Sequence, residues 1–493
     1  MKHAVTRVAA VAALGLTALW SPAFAAGEVT IGMQLEPPML DPTGGAAAAI
    51  DEVVYANVFE GLTRFGPDGS IRPALASSWW ISDNGLEYTF TLRSGVTFHD
   101  GAKFDSRDVK FSLERAMAED STNAQKALFK PITYVDALDP ITVRITLKQP
   151  TGAMLFNLAW GDAVIVSRSS ADGNATNPIG TGPFKFSEWV KGDHVSIVKN
   201  PDYWGEPVAL DKATFKFISD PTAAFAAVMA EDIDAFPGFP APELLDQLKA
   251  DPRFNVVVGS TEGETILSTN NKKPPFDDVR VREAVAHAID RQAIIDGAMF
   301  GYGTPIGTHF APHNPAYVDL TGLSNYDPAL SKKLLAEAGF PNGFKATLKL
   351  PPPSYARRGG EIIADQLRKV GIDLEISNLE WAQWLEQVFR GKDYDLTIVS
   401  HTEPMDIGIY ARDDYYFQYS SDEFKAIMEK LNVTTDEAER TKLLQAAQRK
   451  IAEDYVNGYL FQLARTSVAR SNLKGLWENS PTQANDLTGV YWE

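Results

Sequence analysis

Residues 345–400 constrain the fold more than any other stretch, because strand and helix patterns alternate there without interruption. "KATLKL" is apolar at every second position and reads as a strand. Residues 356–370 read as a helix stopped by Gly371, "IDLEIS" as a second strand, 381–390 as a second helix and "YDLTIVS" as a third strand. A βαβαβ order predicts a parallel sheet, in which ligands bind beyond the carboxyl ends of the strands. Two loops are expected there, "PPPSYARR" after the first strand and "HTEPMD" after the third. Chain order alone thus brings Arg357 and Arg358 to the same edge as His401, Glu403 and Asp406.

A chain of 493 residues is too long for one ordinary core and predicts two large domains, or three with an insertion. Val29, Ile31 and Met33 alternate in a strand expected at the start, and the loop "QLEPPMLDP" follows it. "LEYTFTLR" and "ITVRITLKQP" are further strands within residues 46–160, and "HVSIVKNPDYW" and "KATFKFI" come later, before a helix over 222–231. Beyond Glu264, Val281, Val285, Ala288 and Ile289 recur at helical spacing after Asp277 and Asp278. Asp327, Pro328 and Gly339 bound a second helix, and Leu444, Ala447, Ile451 and Tyr455 form one face of a third, with Thr434 and Glu437 read as its capping box. These apolar stripes are core.

Residues 1–25 read as a secretory signal: Lys2 and Arg7 are basic, an apolar run follows, and Ala23-Phe24-Ala25 offers a cleavage site before Ala26. Export to the periplasm is expected. The chain has no cysteine, which excludes thiol catalysis, disulfides, Cys-ligated metal and the lipid attachment of a lipoprotein. The formal charge is −18, or −20 once Lys2 and Arg7 leave with the signal, a balance that excludes nucleic acid as a partner. No HExxH or phosphate-cradling motif is present, and "GSTEG" puts Thr where a nucleophile elbow has Ser, so no hydrolase is expected. His309 and His313 stand four apart, but Pro312 and Pro315 oppose a helix there, and no metal site or cofactor is expected.

A basic loop facing an acidic loop suits a zwitterion, since a guanidinium grips a carboxylate through two bonds and a carboxylate accepts from an ammonium. Trp381, opening the second helix, is expected to offer a flat wall to ligand side chains.

Four ordered motifs sharpen this reading: "EGLTRFGPDGSIRPALASSW" with "GLEYTFTLRSGVTFHDGAKFDSRDVKFSLER", then "NPIGTGPFKFSEWVKGD", "NPDYWG" and "PPFDDVRVREAVAHAIDRQAI". Together they resemble the family 5 extracellular solute-binding proteins, receptors of dipeptide, oligopeptide, nickel and related ABC importers. The resemblance implies an α/β, two-lobed periplasmic-binding-protein fold of type II, with an inserted subdomain and a hinged cleft. It implies lobe one at 26–45, 161–262 and 466–493, the insertion at 46–160, and lobe two at 263–465, with hinges near 259–270 and 463–470. "ARRGGE" is similar to a dipeptide-receptor motif in which Arg holds the ligand carboxylate, so Arg357 or Arg358 takes that role. Asp406 takes the ammonium, with Glu403 as competitor. Asn270, in the hinge-proximal strand, is implied to bond ligand. The implied partners are a small peptide or peptide-like solute and an inner-membrane permease, with the receptor a monomer that does no chemistry. His401 stands where the family usually has Trp, which leaves opine-like conjugates, oligosaccharides and metal chelates as alternatives.

Overall fold

Two long strands, Phe254–Thr269 and Asn457–Arg470, pair antiparallel over most of their length. The computed structural model describes residues 27–45, 47–434 and 436–493, so the expected signal and its cleavage site lie outside the described residues. Around the long pair grows one sheet in the order Ile372–Asn378, Phe344–Leu350, Leu396–His401, Phe254–Thr269, Asn457–Arg470, Ala235–Phe236, Glu28–Met33, Lys212–Phe217, His194–Lys199, Phe184–Val190. Phe344–Leu350 runs parallel to both Ile372–Asn378 and Leu396–His401, the arrangement that the βαβαβ order predicts. Helix Ser354–Lys369 covers these strands, burying Ala356, Ile363, Ala364 and Leu367 against Leu348, Leu350, Ile372 and Ile398. The long pair changes character midway. Phe254 to Ser260 faces residues 464–470, Glu264 to Ser268 faces residues 457–462, and the register slips between Ser260 and Glu264. The lobe boundaries expected at 262/263 and 465/466 fall in this region of the two strands.

A second, four-stranded sheet (Ala76–Ile81, Glu87–Leu92, Thr142–Leu147, Ile132–Asp139) packs on helix Ser106–Met117 around its own core of Leu75, Phe90, Val109, Leu113 and Ile145. It is tied to the large sheet by buried Glu60, whose carboxylate accepts from Thr181 Oγ1 at 2.8 Å, Trp204 Nε1 at 2.8 Å and Tyr203 OH at 2.9 Å. The glycine at 180 is required by close approach, since a Cβ there would lie 1.9 Å from Val58 O.

Most caps form where local chemistry predicts them. Asp278 caps Val279–His287, and Asp327 caps Pro328–Glu337, beyond which Gly339 adopts φ +95°. The capping box does not form: Asp436 caps Glu437–Glu453, while Thr434 ends the preceding helix Asp422–Val433 and bonds Lys430 O at 2.7 Å. An Asp at the position next to the helix start outcompetes a Thr two residues further away. The helix expected over 381–390 has one α-helical turn, Trp381–Trp384, and continues as a π-helix, Leu385–Arg390.

The motif "TFHDG" contributes His99, whose Nε2 donates to Gly182 O at 2.9 Å and whose Nδ1 accepts from Gly180 N–H at 3.3 Å. Burial pushes this imidazole down to about 4 from 6.5. Because the folded value lies below the unfolded one, the neutral ring's contribution is complete above pH 6.5 and is lost as pH falls through about 4. Urea unfolding across that window should show the wild type losing up to roughly 3 kcal/mol more than His99→Gln on acidification. Parallel losses would remove His99 as the acid-sensitive group.

Candidate ligand site

The carboxyl ends of the three parallel strands converge as expected, and Ser400 N–H donates to Tyr355 OH at 3.2 Å, joining the last strand to the start of helix Ser354–Lys369. Arg357 and Arg358 lie in the helix expected over 356–370, which starts at Ser354 after the N-cap Pro353 and leaves only residues 351–353 of the expected loop "PPPSYARR" as connection. Arg357 Nη2 donates to Leu379 O at 3.3 Å and Glu380 Oε1 at 3.2 Å, while its Nε is buried without a hydrogen-bond partner among the described residues. Arg358 is exposed and rests over the Phe300 ring, 5.2 Å from its centroid. Trp381 is 42% exposed and meets Trp384 edge-on at 5.6 Å; Trp384 is the core residue, its Nε1 donating to Thr397 Oγ1 at 2.9 Å.

Asn270 leaves the candidate set. It follows the opposite end of its strand from the edge that carries His401, since Glu264 pairs with His401 and Thr269 with Leu396. Its Nδ2 donates to Lys392 O at 3.0 Å and Tyr394 O at 3.2 Å, and its Oδ1 accepts from Gln418 Nε2 at 2.7 Å. The amide is spent on fastening the segment that enters Leu396–His401.

The acidic loop is more elaborate than its sequence. His401 ends its strand, Met405 takes a left-handed φ of +60°, and Asp406 opens the 3-10 turn Asp406–Ala411. This bend aims Asp406 back between two imidazoles, with His309 Nε2 donating to Oδ1 at 2.7 Å and His401 Nδ1 lying 3.5 Å from Oδ2. The outer nitrogens of both rings meet buried tyrosines: Tyr410 OH is 3.1 Å from His309 Nδ1, and Tyr416 OH is 3.1 Å from His401 Nε2. Beside them Glu264, 2% exposed, sits directly opposite His401 in the ladder, and Glu262 accepts from His313 Nε2 at 2.5 Å. Glu403 is exposed and accepts from Thr402 N–H at 3.2 Å.

The electrostatics follow from this crowding. Burial works against ionisation of Asp406, but the two imidazoles outweigh it and hold the carboxyl far below the usual range. Burial likewise opposes charging of His401, and Asp406 overcomes it, so that ring is raised. Glu264 is pushed well upward by burial, then by Asp406, Glu262 and Glu403. The result is one carboxyl held ionised between two imidazoles and a second, Glu264, pushed towards its neutral form.

On the other side of the crossing, Arg465 donates through Nη1 to Asn479 O at 2.9 Å and through Nη2 to Asn485 Oδ1 at 3.2 Å, and burial lowers it to about 10 against the pull of Glu52. Among the described residues, Asp51 Oδ1, Trp160 Nε1 and Asp162 Oδ1 are likewise buried, without hydrogen-bond partners. The two sides also touch beyond the crossing strands: Gln483 Nε2 donates to Thr402 Oγ1 at 3.2 Å, and Gly152 lies so near that a Cβ there would fall 2.2 Å from Arg440 Nη1. Sequence reasoning missed Glu262, Glu264, His309 and Tyr416 as members of this site. The one local signal was a pair of acids, "EGE", inside an otherwise strand-like run.

With this geometry in hand, comparison is informative. The family model "Bacterial extracellular solute-binding proteins, family 5 Middle" matches residues 70–427. The glutathione-binding protein GsiB of Escherichia coli (strain K12) is 31% identical over 507 residues, 97% of each chain. Among solved structures, the periplasmic binding protein DppA of Helicobacter pylori, in complex with the peptide STSA, superposes with a TM-score of 0.81 at 28% identity, covering 95% of this chain and 98% of that one. AgaA of A. tumefaciens R10, in complex with agropinic acid, gives 0.80 at 27%, covering 95% and 99%.

The internal role of Asn270 makes a direct test. Asn270→Ala should unfold roughly 2–4 kcal/mol more easily, since several buried bonds are lost and their partners left unsatisfied, while affinity for any solute bound at the Asp406 edge stays unchanged. Calorimetry alongside chemical unfolding checks both, and a weakened solute with intact stability would return Asn270 to the site.

Proposed function

The chain belongs to the family 5 bacterial extracellular solute-binding proteins, the solute-binding components of ABC importers, and on that premise we propose that it captures a short peptide or peptide-like solute between two lobes. In this reading residues 26–45, 161–262 and 466–493 form lobe one, 46–160 its inserted subdomain and 263–465 lobe two. The protein is exported, cut before Ala26, and works as a periplasmic monomer that delivers its cargo to a permease without altering it. Among the described residues no helix is long and apolar enough to cross a membrane.

The observation that carries the ligand class is Asp406, an ionised, partly exposed carboxylate at the carboxyl edge of a parallel sheet. A free α-ammonium is the complement of such a group. Arg357 supplies the opposite pole, because its buried Nε lacks a partner and a ligand carboxylate would provide one. The kinship with a glutathione-binding protein over nearly the whole chain supports a small solute carrying both charges. An opine-like conjugate is the second reading, supported by the likeness to AgaA.

Calorimetry with glutathione, a dipeptide panel and opine-type conjugates tests the assignment. Asp406→Asn and Arg357→Ala should each cost the bound solute ~2–5 kcal/mol, because a charge in the closed cleft is left without its partner. That is roughly thirtyfold to several thousandfold in affinity. Arg358→Ala, at an exposed site, should cost about 1 kcal/mol or less. N-acetylating the solute should weaken the wild type and scarcely affect Asp406→Asn; equal losses in both proteins would sink the ammonium assignment. Small-angle scattering should show a smaller radius with saturating solute, since capture depends on lobe closure.

A further inference from the structure

We infer that His309, His401 and Asp406 form a binding site for a single borderline divalent transition-metal ion, such as Zn²⁺ or Ni²⁺. One ligand atom from each of the three lies within 4.8 Å of the others. Four-coordinate ligands at about 2.0–2.1 Å from a zinc ion sit roughly 3.3 Å apart. The observed contacts of 2.7 Å and 3.5 Å, made to the two oxygens of one carboxylate, lie on either side of that spacing. Two imidazoles and one carboxylate suit zinc, nickel or cobalt, whereas calcium and magnesium favour all-oxygen sets.

Three further features favour an ion over a plain hydrogen-bond network. His401 Nδ1, at 3.5 Å from Asp406, is at the outer limit of a hydrogen bond and close to the spacing of two ligands on one ion. Both rings are oriented from behind by Tyr410 and Tyr416, and Tyr410 is itself fixed by Asn457 Nδ2 at 3.1 Å. Such outer partners hold the proton on the far nitrogen and present the near lone pair to a metal. Finally, Glu264 is buried directly opposite His401 in the ladder and Glu262 stands two residues before it on the same strand, so further oxygen donors lie on the facing strand. Three protein ligands leave a coordination position for water or for a donor atom of a captured solute.

This inference stands apart from the peptide reading, because it is tested on protein without solute. Untagged protein, stripped with chelator, is titrated calorimetrically with ZnSO₄ and NiCl₂, and retained metal is counted by mass spectrometry after gel filtration. One ion per chain at micromolar affinity or better is expected, with at least about tenfold weaker binding in His401→Gln and His309→Gln and no change in the control His194→Gln, which stands outside the site. Should His309→Gln fail to fold, the visible spectrum of Co²⁺-loaded wild type against His401→Gln decides the matter through its sensitivity to ligand number. No stoichiometric ion, or undiminished affinity in His401→Gln, overturns the site. If Asp406 also anchors a solute ammonium, zinc and an amine-bearing solute should compete, whereas zinc binding without any peptide binding would overturn the peptide reading alone.

Discussion

The pairing of Phe254–Thr269 with Asn457–Arg470 is the constraint on which everything else hangs, because these strands carry one hydrogen-bonded sheet through both halves of the molecule. A ladder that continuous would be stiff, yet its register breaks between Ser260 and Glu264. Side chains take over the bonds that the backbone leaves there. Gln462 Nε2 donates to Thr261 O at 2.9 Å and Leu463 O at 2.6 Å, and Thr261 Oγ1 both donates to Leu463 O at 2.6 Å and accepts from Gly263 N–H at 2.9 Å. Rotatable side chains can follow a bend that rigid ladder bonds cannot, so the break satisfies its polar groups and still permits hinge motion. The break at 260–264 also carries Glu262 and Glu264.

That placement explains the character of the wall beside it. Glu264 is desolvated by both strands and feels Asp406, Glu262 and Glu403 as like charges, while Asp406 stays ionised only because His309 and His401 flank it. Two carboxyls a short distance apart thus diverge, one raised and one lowered, through unequal access to imidazole. A site so divided does not hold two full negative charges side by side. An ammonium and a metal ion are both answers to the same electrostatic question, distinguished by whether the imidazoles donate protons or lone pairs.

What could be read from sequence was what is decided locally. Alternation gave Phe344–Leu350 and its parallel neighbours, and Asp278, Asp327 and Gly339 mark helix ends because their side chains or φ angles act within a few residues. The reading failed where two local solutions competed, as when Asp436 displaced Thr434 at a cap, and where the expected loop and helix overlapped at 356–358 the helix prevailed. It could not reach the His309–Asp406 contact, whose partners are 97 residues apart and whose loop carries Pro312 and Pro315 in place of a periodic pattern. His401 was legible as a position at a strand end, but not as half of an imidazole pair, since only the left-handed bend at Met405 returns Asp406 to it.

The motifs that carry the family likeness do a different job from the residues that face a solute. "EGLTRF", "GTGPF" and "NPDYW" meet at Glu60, where Thr181, Tyr203 and Trp204 all donate to one buried carboxylate. A carboxylate with three donors supplied from distant segments fixes how those segments pack, and any change to one partner leaves the others bonding a group that burial already penalises. Such a junction tolerates little variation and therefore marks the fold clearly. The wall of Glu262, Glu264, His309, His401 and Asp406 lies on other strands and loops and shares none of those bonds. Its composition can change without disturbing the junction at Glu60, and the similar structures hold a peptide in one case and agropinic acid in another.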